Sequence, residues 1–279
     1  MSESAPGHYV MGNDERERRR LALQGSLLNP ITEHLLRRAG IGGGMRVLDI
    51  GCGIGDVSMV VSKLLGNEGQ VIGIDSDPAA LETAQKRARE SGCKNTSFVH
   101  SSIQDFRPDE LFDAVTGRHI LIHTREPFEI MRTIWKYLKD GGVACLHEYD
   151  FTTIHPSYPL CPKREDLIRL FRNFFSKVTH ANIGTQLYHL FLEAGFIAPE
   201  CWAEYAIGGR PESQVYEWAA ESMRSIYSQV KALGLAPDVD LNFDTLAEQL
   251  REEAIRQGSC FPGPVMVGGF ARKPAAPID

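Results

Sequence analysis

Val47-Leu48-Asp49-Ile50-Gly51-Cys52-Gly53-Ile54-Gly55 decides how this chain is read. The apolar run over 45–50 has the length of a short strand buried on both faces. Glycines follow at every second position, 51, 53 and 55, and a helix-forming stretch covers 56–65. Glycine has no side chain to block a ligand and accepts backbone angles closed to other residues. Strand, glycine turn and helix N-terminus together aim free N–H groups and the positive end of a helix dipole at one point. The stretch predicts a ligand held against main chain.

Spacing narrows the choice of ligand. A dinucleotide-binding turn reads G-x-G-x-x-G. Here the third glycine comes one residue early, and Asp56 takes the position that pattern gives to glycine. An acid there would repel a pyrophosphate. Asp49 adds a second negative charge, suited to a ligand with positive groups. An acid followed by x-Gly-x-Gly-x-Gly, at the end of a strand near residue 50, resembles motif I of the class I S-adenosylmethionine-dependent methyltransferases. The resemblance implies S-adenosyl-L-methionine as cofactor. It also implies an α/β fold, a Rossmann-like seven-stranded, mostly parallel sheet with helices on both faces.

The 279 residues are enough for a sizeable core, and 24% charged with 43% apolar residues is ordinary for a globular protein. A net charge of −6 argues against a nucleic-acid-binding surface, which is usually basic. Six cysteines lie scattered with no C-x-x-C pair, proposing neither a zinc site nor a disulfide framework. No apolar run is long enough to span a bilayer, and the N-terminus has no signal-peptide core. The expectation is a cytoplasmic protein, monomer or homodimer, with a small-molecule substrate and no nucleic-acid or membrane partner.

Residues 1–40 are expected to form an N-terminal helical lid, with a charged helix starting near 13 and a second over 29–39. The resembled family often opens with a Tyr-x-x-Gly-charged-helix segment that closes over the cofactor, which puts Tyr9 among the contacts. A cofactor-binding core should occupy 41–150. Its second strand, 70–75, ends in Asp75, about twenty residues past the turn, where nucleotide-binding folds set a carboxylate on the ribose. Asp75, with Ser76 beside it, is assigned to the ribose, and Asp77 before Pro78 to a helix cap. After a third strand, 96–100, the family usually has a Gly-Asp pair for the adenine amino group. Ser101-Ser102 stands there instead, leaving Ser102, the Ile103 backbone N–H or Gln104 to take that contact.

The fourth strand, 112–117, runs into Gly117-Arg118-His119. Open parallel sheets bind ligands outside the carboxyl ends of their strands, which places Gly117 and Arg118 at the cofactor. The motif of DNA amino-methyltransferases is missing at this point. A fifth strand over 143–150 follows a Leu-Lys-Asp-Gly-Gly turn that also resembles the family. The core continues over 182–208, and 261–279 holds the last core strand and tail. Strands at 200–207 and 265–271 should close the sheet as an antiparallel pair. Two stretches, 151–181 and 209–260, exceed what the sheet needs and are rich in aromatics; they read as a helical cap forming a substrate pocket.

Methyl transfer is an in-line displacement with a good leaving group, so the protein mainly holds the two reactants in place. A hydroxyl, acid or carbon acceptor can also require a general base. His119, Glu148 and Asp150 at the strand ends are the catalytic candidates. His119 and His123 with His147 or Glu148 form an alternative metal-ligand set. His123, however, stands where the family often has a packing histidine, and no metal is expected. The function expected is methylation of a small molecule at O, N or C, in natural-product or cofactor metabolism. The alternatives are a protein methyltransferase or a non-catalytic regulator that binds the cofactor or its product.

Overall fold

The computed structural model describes residues 15–236 and 241–275. Among the described residues nine strands form: β1 (Arg46–Ile50), β2 (Gln70–Asp75), β3 (Thr96–His100), β4 (Phe112–Arg118), β5 (Leu138–Asp150), β6 (Ile197–Glu204), β7 (Ile207–Gly208), β8 (Phe261–Pro262) and β9 (Val265–Arg272). Seven of them make one sheet in the order β3-β2-β1-β4-β5-β9-β6, while β7 and β8 pair separately. The first five run parallel, and β9 is antiparallel to both of its neighbours. The expected antiparallel closure is present. Its β6 begins and ends three residues earlier than expected, and Ile207 instead joins the small β7–β8 pair.

Among the described residues eight α-helices cover the sheet and its end: α1 (Glu15–Arg38), α2 (Asp56–Leu65), α3 (Pro78–Glu90), α4 (Pro127–Tyr137), α5 (Pro162–Val178), α6 (Ile183–Glu193), α7 (Val215–Ala232) and α8 (Phe243–Gln257). β1 shows why both faces need cover, since Val47, Leu48, Asp49 and Ile50 are all buried. Side chains alternate across a strand. Val47 accordingly packs with Leu35 and Leu36 of α1 and with Val57 and Val61 of α2. Leu48 and Ile50 join the opposite layer, with Ile130 and Met131 of α4 and Leu187 and Phe191 of α6. Asp49 shares the parity of Val47 and so faces α2.

Two N-terminal helices were expected; one continuous α1 forms, with Pro30 inside it. Proline removes one helical hydrogen bond. Pro30 and Ser26, whose carbonyl loses that donor, are both exposed, so water takes up the defect. Leu28 before it and Thr32, Leu35 and Leu36 after it stay buried on one stripe. Burial on that stripe outweighs the break.

α1 passes very close to the start of α2. A Cβ on Gly25 would lie 2.7 Å from Oδ1 of Asp56. That carboxylate cannot swing freely, because Arg87 Nη2 donates to Oδ1 at 2.7 Å. Gly25→Val should therefore cost about 1–3 kcal/mol by overpacking, read as a lower urea midpoint. Gly42→Ala, whose Cβ would meet nothing within 4 Å, serves as the control and should shift the midpoint little.

Candidate functional site

The glycine turn divides its labour. Gly51 and Gly53 have φ of 58° and 51°. A Cβ on Gly51 would sit 2.0 Å from Ile120 Cδ1, so that face is already filled by protein. A Cβ on Gly53 would meet nothing within 4 Å. This is the open position, where a ligand can approach the main chain. Gly55, φ 83°, is the N-cap of α2 and packs against Ala84 and Phe98 instead.

Asp75 stands across the turn from Gly53. Its Oδ2 accepts the Gly53 N–H at 2.8 Å and its Oδ1 accepts the Asp77 N–H at 2.9 Å. It thus ties the two turns together while remaining partly exposed. Asp77 Oδ1 accepts from the Ala79 N–H at 2.9 Å and caps α3, with Pro78 as its first residue. The Ser76 carbonyl accepts from His100 Nε2 at 3.1 Å. Ser102 turns its hydroxyl to Asp105 Oδ2 at 2.7 Å, and the Ile103 carbonyl accepts from the Tyr137 hydroxyl at 2.6 Å. Tyr9 lies outside the described residues.

Asp49 is fully buried. Ser58 Oγ donates to its Oδ2 at 2.5 Å, and its Oδ1 has no donor among the described residues. Burial pushes its pKa up to about 7, against the Ser58 hydrogen bond and the charge of Arg118. A buried carboxylate oxygen left over beside an open glycine turn fits a cationic group. S-adenosylmethionine carries two, its ammonium and its sulfonium. Arg118 lies at the other side, where Nη1 donates to Asn29 Oδ1 at 2.9 Å and Thr32 Oγ1 at 3.0 Å of α1. Burial lowers its pKa, opposed by Asp56, Tyr149 and Asp49.

The three catalytic candidates separate. Glu148 does not face a ligand. Its Oε1 accepts the N–H groups of Ile120 and Leu121 at 2.9 and 2.8 Å, and Oε2 that of Ile122 at 3.3 Å. It caps the 3-10 turn Leu121–His123. Burial raises its pKa to about 7 against those three amides. Asp150 is likewise spent on structure, accepting from the Thr152 N–H and hydroxyl at 2.9 and 2.5 Å and the Thr185 N–H at 3.2 Å. To act as a base, either carboxylate would have to give up those hydrogen bonds. An acid at a strand end was read as facing outward, but main-chain donors of the next turn surround each.

His119 stands at the junction. It is a non-glycine residue at φ 59°, held there by its N–H donating to the His147 carbonyl at 2.9 Å. That left-handed backbone and the 3-10 turn keep His119 and His123 off a common helix face. Its ring stacks on Tyr149, centroids 4.0 Å apart and planes at 12°. Burial, Arg118 and the neighbouring histidines hold its pKa well below the ordinary value. His147 is pushed down to about 3 by burial and Arg118, and His123 to about 4 by burial and Arg20. These imidazoles are neutral at physiological pH. Among the described residues no three His, Cys, Asp or Glu side chains gather as a metal site.

Beyond Tyr149 lies a narrow cleft, partly open to solvent, bounded by α1, α5, α7 and the stretch through β8. Tyr149, Phe151, Phe171, Phe175, Trp218 and Phe261 give it an aromatic lining, with Arg20, Gln24 and Ser222 as its polar members. Phe151 and Phe175 stack at 4.0 Å. His119 does not line this cavity; Tyr149 and Gln24, which touch it, do. Sequence reasoning missed Gln24, Asn29 and Thr32. Their signal was polar residues recurring at helical spacing on the same stripe of α1 as its buried leucines.

Residues 41–195 match the family model described as a methyltransferase domain. The chain is 29% identical over 185 residues to a demethylmenaquinone methyltransferase of Lactococcus lactis, across 59% of this chain and 71% of that enzyme. It is 28% identical over 135 residues to a ubiquinone/menaquinone biosynthesis C-methyltransferase of Vibrio campbellii, across 45% and 52%. It therefore spans about half the length of the Vibrio enzyme. A SAM-dependent methyltransferase structure from Aquifex aeolicus superposes with TM-score 0.54 at 13% identity, over 94% of this chain and all of that one.

Two outcomes follow from the site's charges. An ionised Asp49 attracts a cation, and its own pKa near 7 without ligand means that protons compete for it. Between pH 7.5 and 5.5, S-adenosylmethionine affinity measured by calorimetry should fall as pH falls, approaching about tenfold per unit below 7. Asp49→Asn should bind weakly and flatten that slope; an unchanged slope would place the titration elsewhere. Glu148→Gln should lose about 1–3 kcal/mol of stability. It should also lose cofactor affinity, because the turn it caps carries Ile120 against Gly51. Turnover lost with both properties intact would return Glu148 to the chemistry.

Proposed function

This chain belongs to the methyltransferase-domain family, and from that premise we propose that it methylates a small, largely apolar acceptor held in the aromatic cavity, on a ring carbon. The observation that carries the reading is that Tyr149 belongs to both halves of the site. It stacks on His119 beside Arg118 at the glycine-turn end, and it lines the cavity at the other. The cofactor end and the cavity are one residue apart. The names of the Lactococcus and Vibrio relatives support a ring acceptor, and the second of them names carbon as the methylated atom.

Bound at the turn, S-adenosylmethionine supplies an electrophilic methyl group on a sulfonium that leaves readily. The chain does the holding. Gly53 presents main chain, Asp49 a buried anion and Asp75 a carboxylate for ribose hydroxyls, with Ser76, Ser102 and Ile103 beyond the ends of β2 and β3, while Gly117 is buried in β4 against Ile50 and Ile120. Arg118, pinned by Asn29 and Thr32, balances Asp49. Phe151, Phe175 and Trp218 orient a flat acceptor by stacking and edge contacts. Ser222, whose Oγ accepts from Arg20, offers its hydroxyl to a ring oxygen.

The test is the destination of a labelled methyl group. The protein is incubated with methyl-labelled S-adenosylmethionine and cell extract, and small molecules, proteins and nucleic acids are separated. Label is expected in the apolar small-molecule fraction. Label in protein, or bound cofactor with no transfer to any fraction, would overturn the reading.

A further inference from the structure

Gln24 reaches His119 from α1, with its Nε2 3.3 Å from the ring Nδ1. Its other end settles which way the amide points. Oε1 lies 2.9 Å from Arg20 Nη1 and 3.5 Å from Trp218 Nε1, and both of those groups can only donate. The oxygen must face them, so the NH2 must face His119. An amide NH2 cannot accept, so Nδ1 is the acceptor in this pair. In a neutral imidazole the proton is then on Nε2, which stands 3.4 Å from Met266 Sδ, a weak acceptor.

We propose that Gln24 is a positioning residue that locks His119 in the Nε2–H tautomer, and that the buried Glu17–Arg20 pair locks Gln24. The chain of contacts is continuous. Arg20 Nε donates to Glu17 Oε1 at 2.9 Å and Nη2 to the same oxygen at 2.6 Å, with both side chains 5% exposed or less. Ser225 Oγ of α7 holds Glu17 Oε2 at 2.9 Å, and Ser222 Oγ lies 3.5 Å from Arg20 Nη1. The relay thus runs from α7 through one stripe of α1, at 17, 20 and 24, to the end of β4.

This changes what His119 does. Its lone pair at Nδ1 is occupied, and it offers an N–H at Nε2. Held so, it is a hydrogen-bond donor and a stacking platform for Tyr149 rather than a proton acceptor. The groups facing it agree. Arg118, Arg20, His147 and His123 all oppose a positive charge on the ring, as does its burial, while Tyr149 and Met266 bring no anion. The tautomer stands on hydrogen-bond geometry alone; only its use in turnover rests on the methyltransferase reading.

Nitrogen NMR of the full chain with labelled histidine reads the tautomer directly. The His119 signals are assigned by their absence in His119→Asn. In the wild type a single neutral form with the proton on Nε2 is expected, unchanged from pH 5.5 to 8.5. Gln24→Met, similar in volume but unable to donate, should lose the single-tautomer signature and show exchange between the two neutral forms. Gln24→Glu should reverse the tautomer or bring protonation of His119 into the same pH range. Thermal unfolding confirms that each variant is folded, and either one suffices if the other is not. A wild-type proton on Nδ1, or the Nε2–H form retained in Gln24→Met and Gln24→Glu alike, would overturn the proposal. Failure of methyl transfer with the tautomer as stated would sink the functional reading alone.

Discussion

Charge buried at the carboxyl end of the sheet is the constraint on which this structure depends. Asp49, Glu148 and Asp150 are withdrawn from water there, with Arg20 close by and Arg118 partly so. A charge out of water costs several kcal/mol unless it is paired or hydrogen-bonded. Each group accordingly dictates what surrounds it. Glu148 gathers three amides and thereby bends the chain into the 3-10 turn after β4. Asp150 gathers the turn after β5 and the start of α6. Among the described residues only Asp49 keeps an oxygen without a donor, and it is the acid beneath the glycine turn.

The same accounting explains α1. It supplies Asn29 and Thr32 to Arg118, Thr32 to His147 Nδ1 at 3.0 Å, Gln24 to His119, and the Glu17–Arg20 pair to the cavity wall. It also packs on α2 closely enough that residue 25 has no room for a side chain. α1 is therefore both a layer of the fold and a wall of the site. Anything that shifts it acts on the cofactor end and on the cavity together.

Much of this was legible beforehand. Runs of apolar residues ending in glycine or an acid marked β1, β2 and β4, because strands of a parallel sheet are buried on both faces and stop where the ligand side begins. Asp77-Pro78 marked a cap, since both residues suit a helix start on local grounds. The surroundings of the strand-end acids were not legible. Glu148 and Asp150 look like any strand-end acid, and whether such an acid meets a ligand or main chain depends on the turn that follows. Two expected helices became one because proline's cost depends on which side of the helix it faces.

What the sequence determined by itself was periodic and local: the strand-turn-helix at 46–65, the parallel core, and an acid and glycines set for a cationic ligand. Backbone sterics and burial act over a few residues, so a short stretch suffices to specify them. The tertiary structure alone decided which polar groups are spent and which are left over. Gln24 and His119, 95 residues apart, become partners only when α1 crosses the end of β4. Hydrogen-bond satisfaction in a buried site is a property of all the groups brought there, and no single stretch of chain contains it.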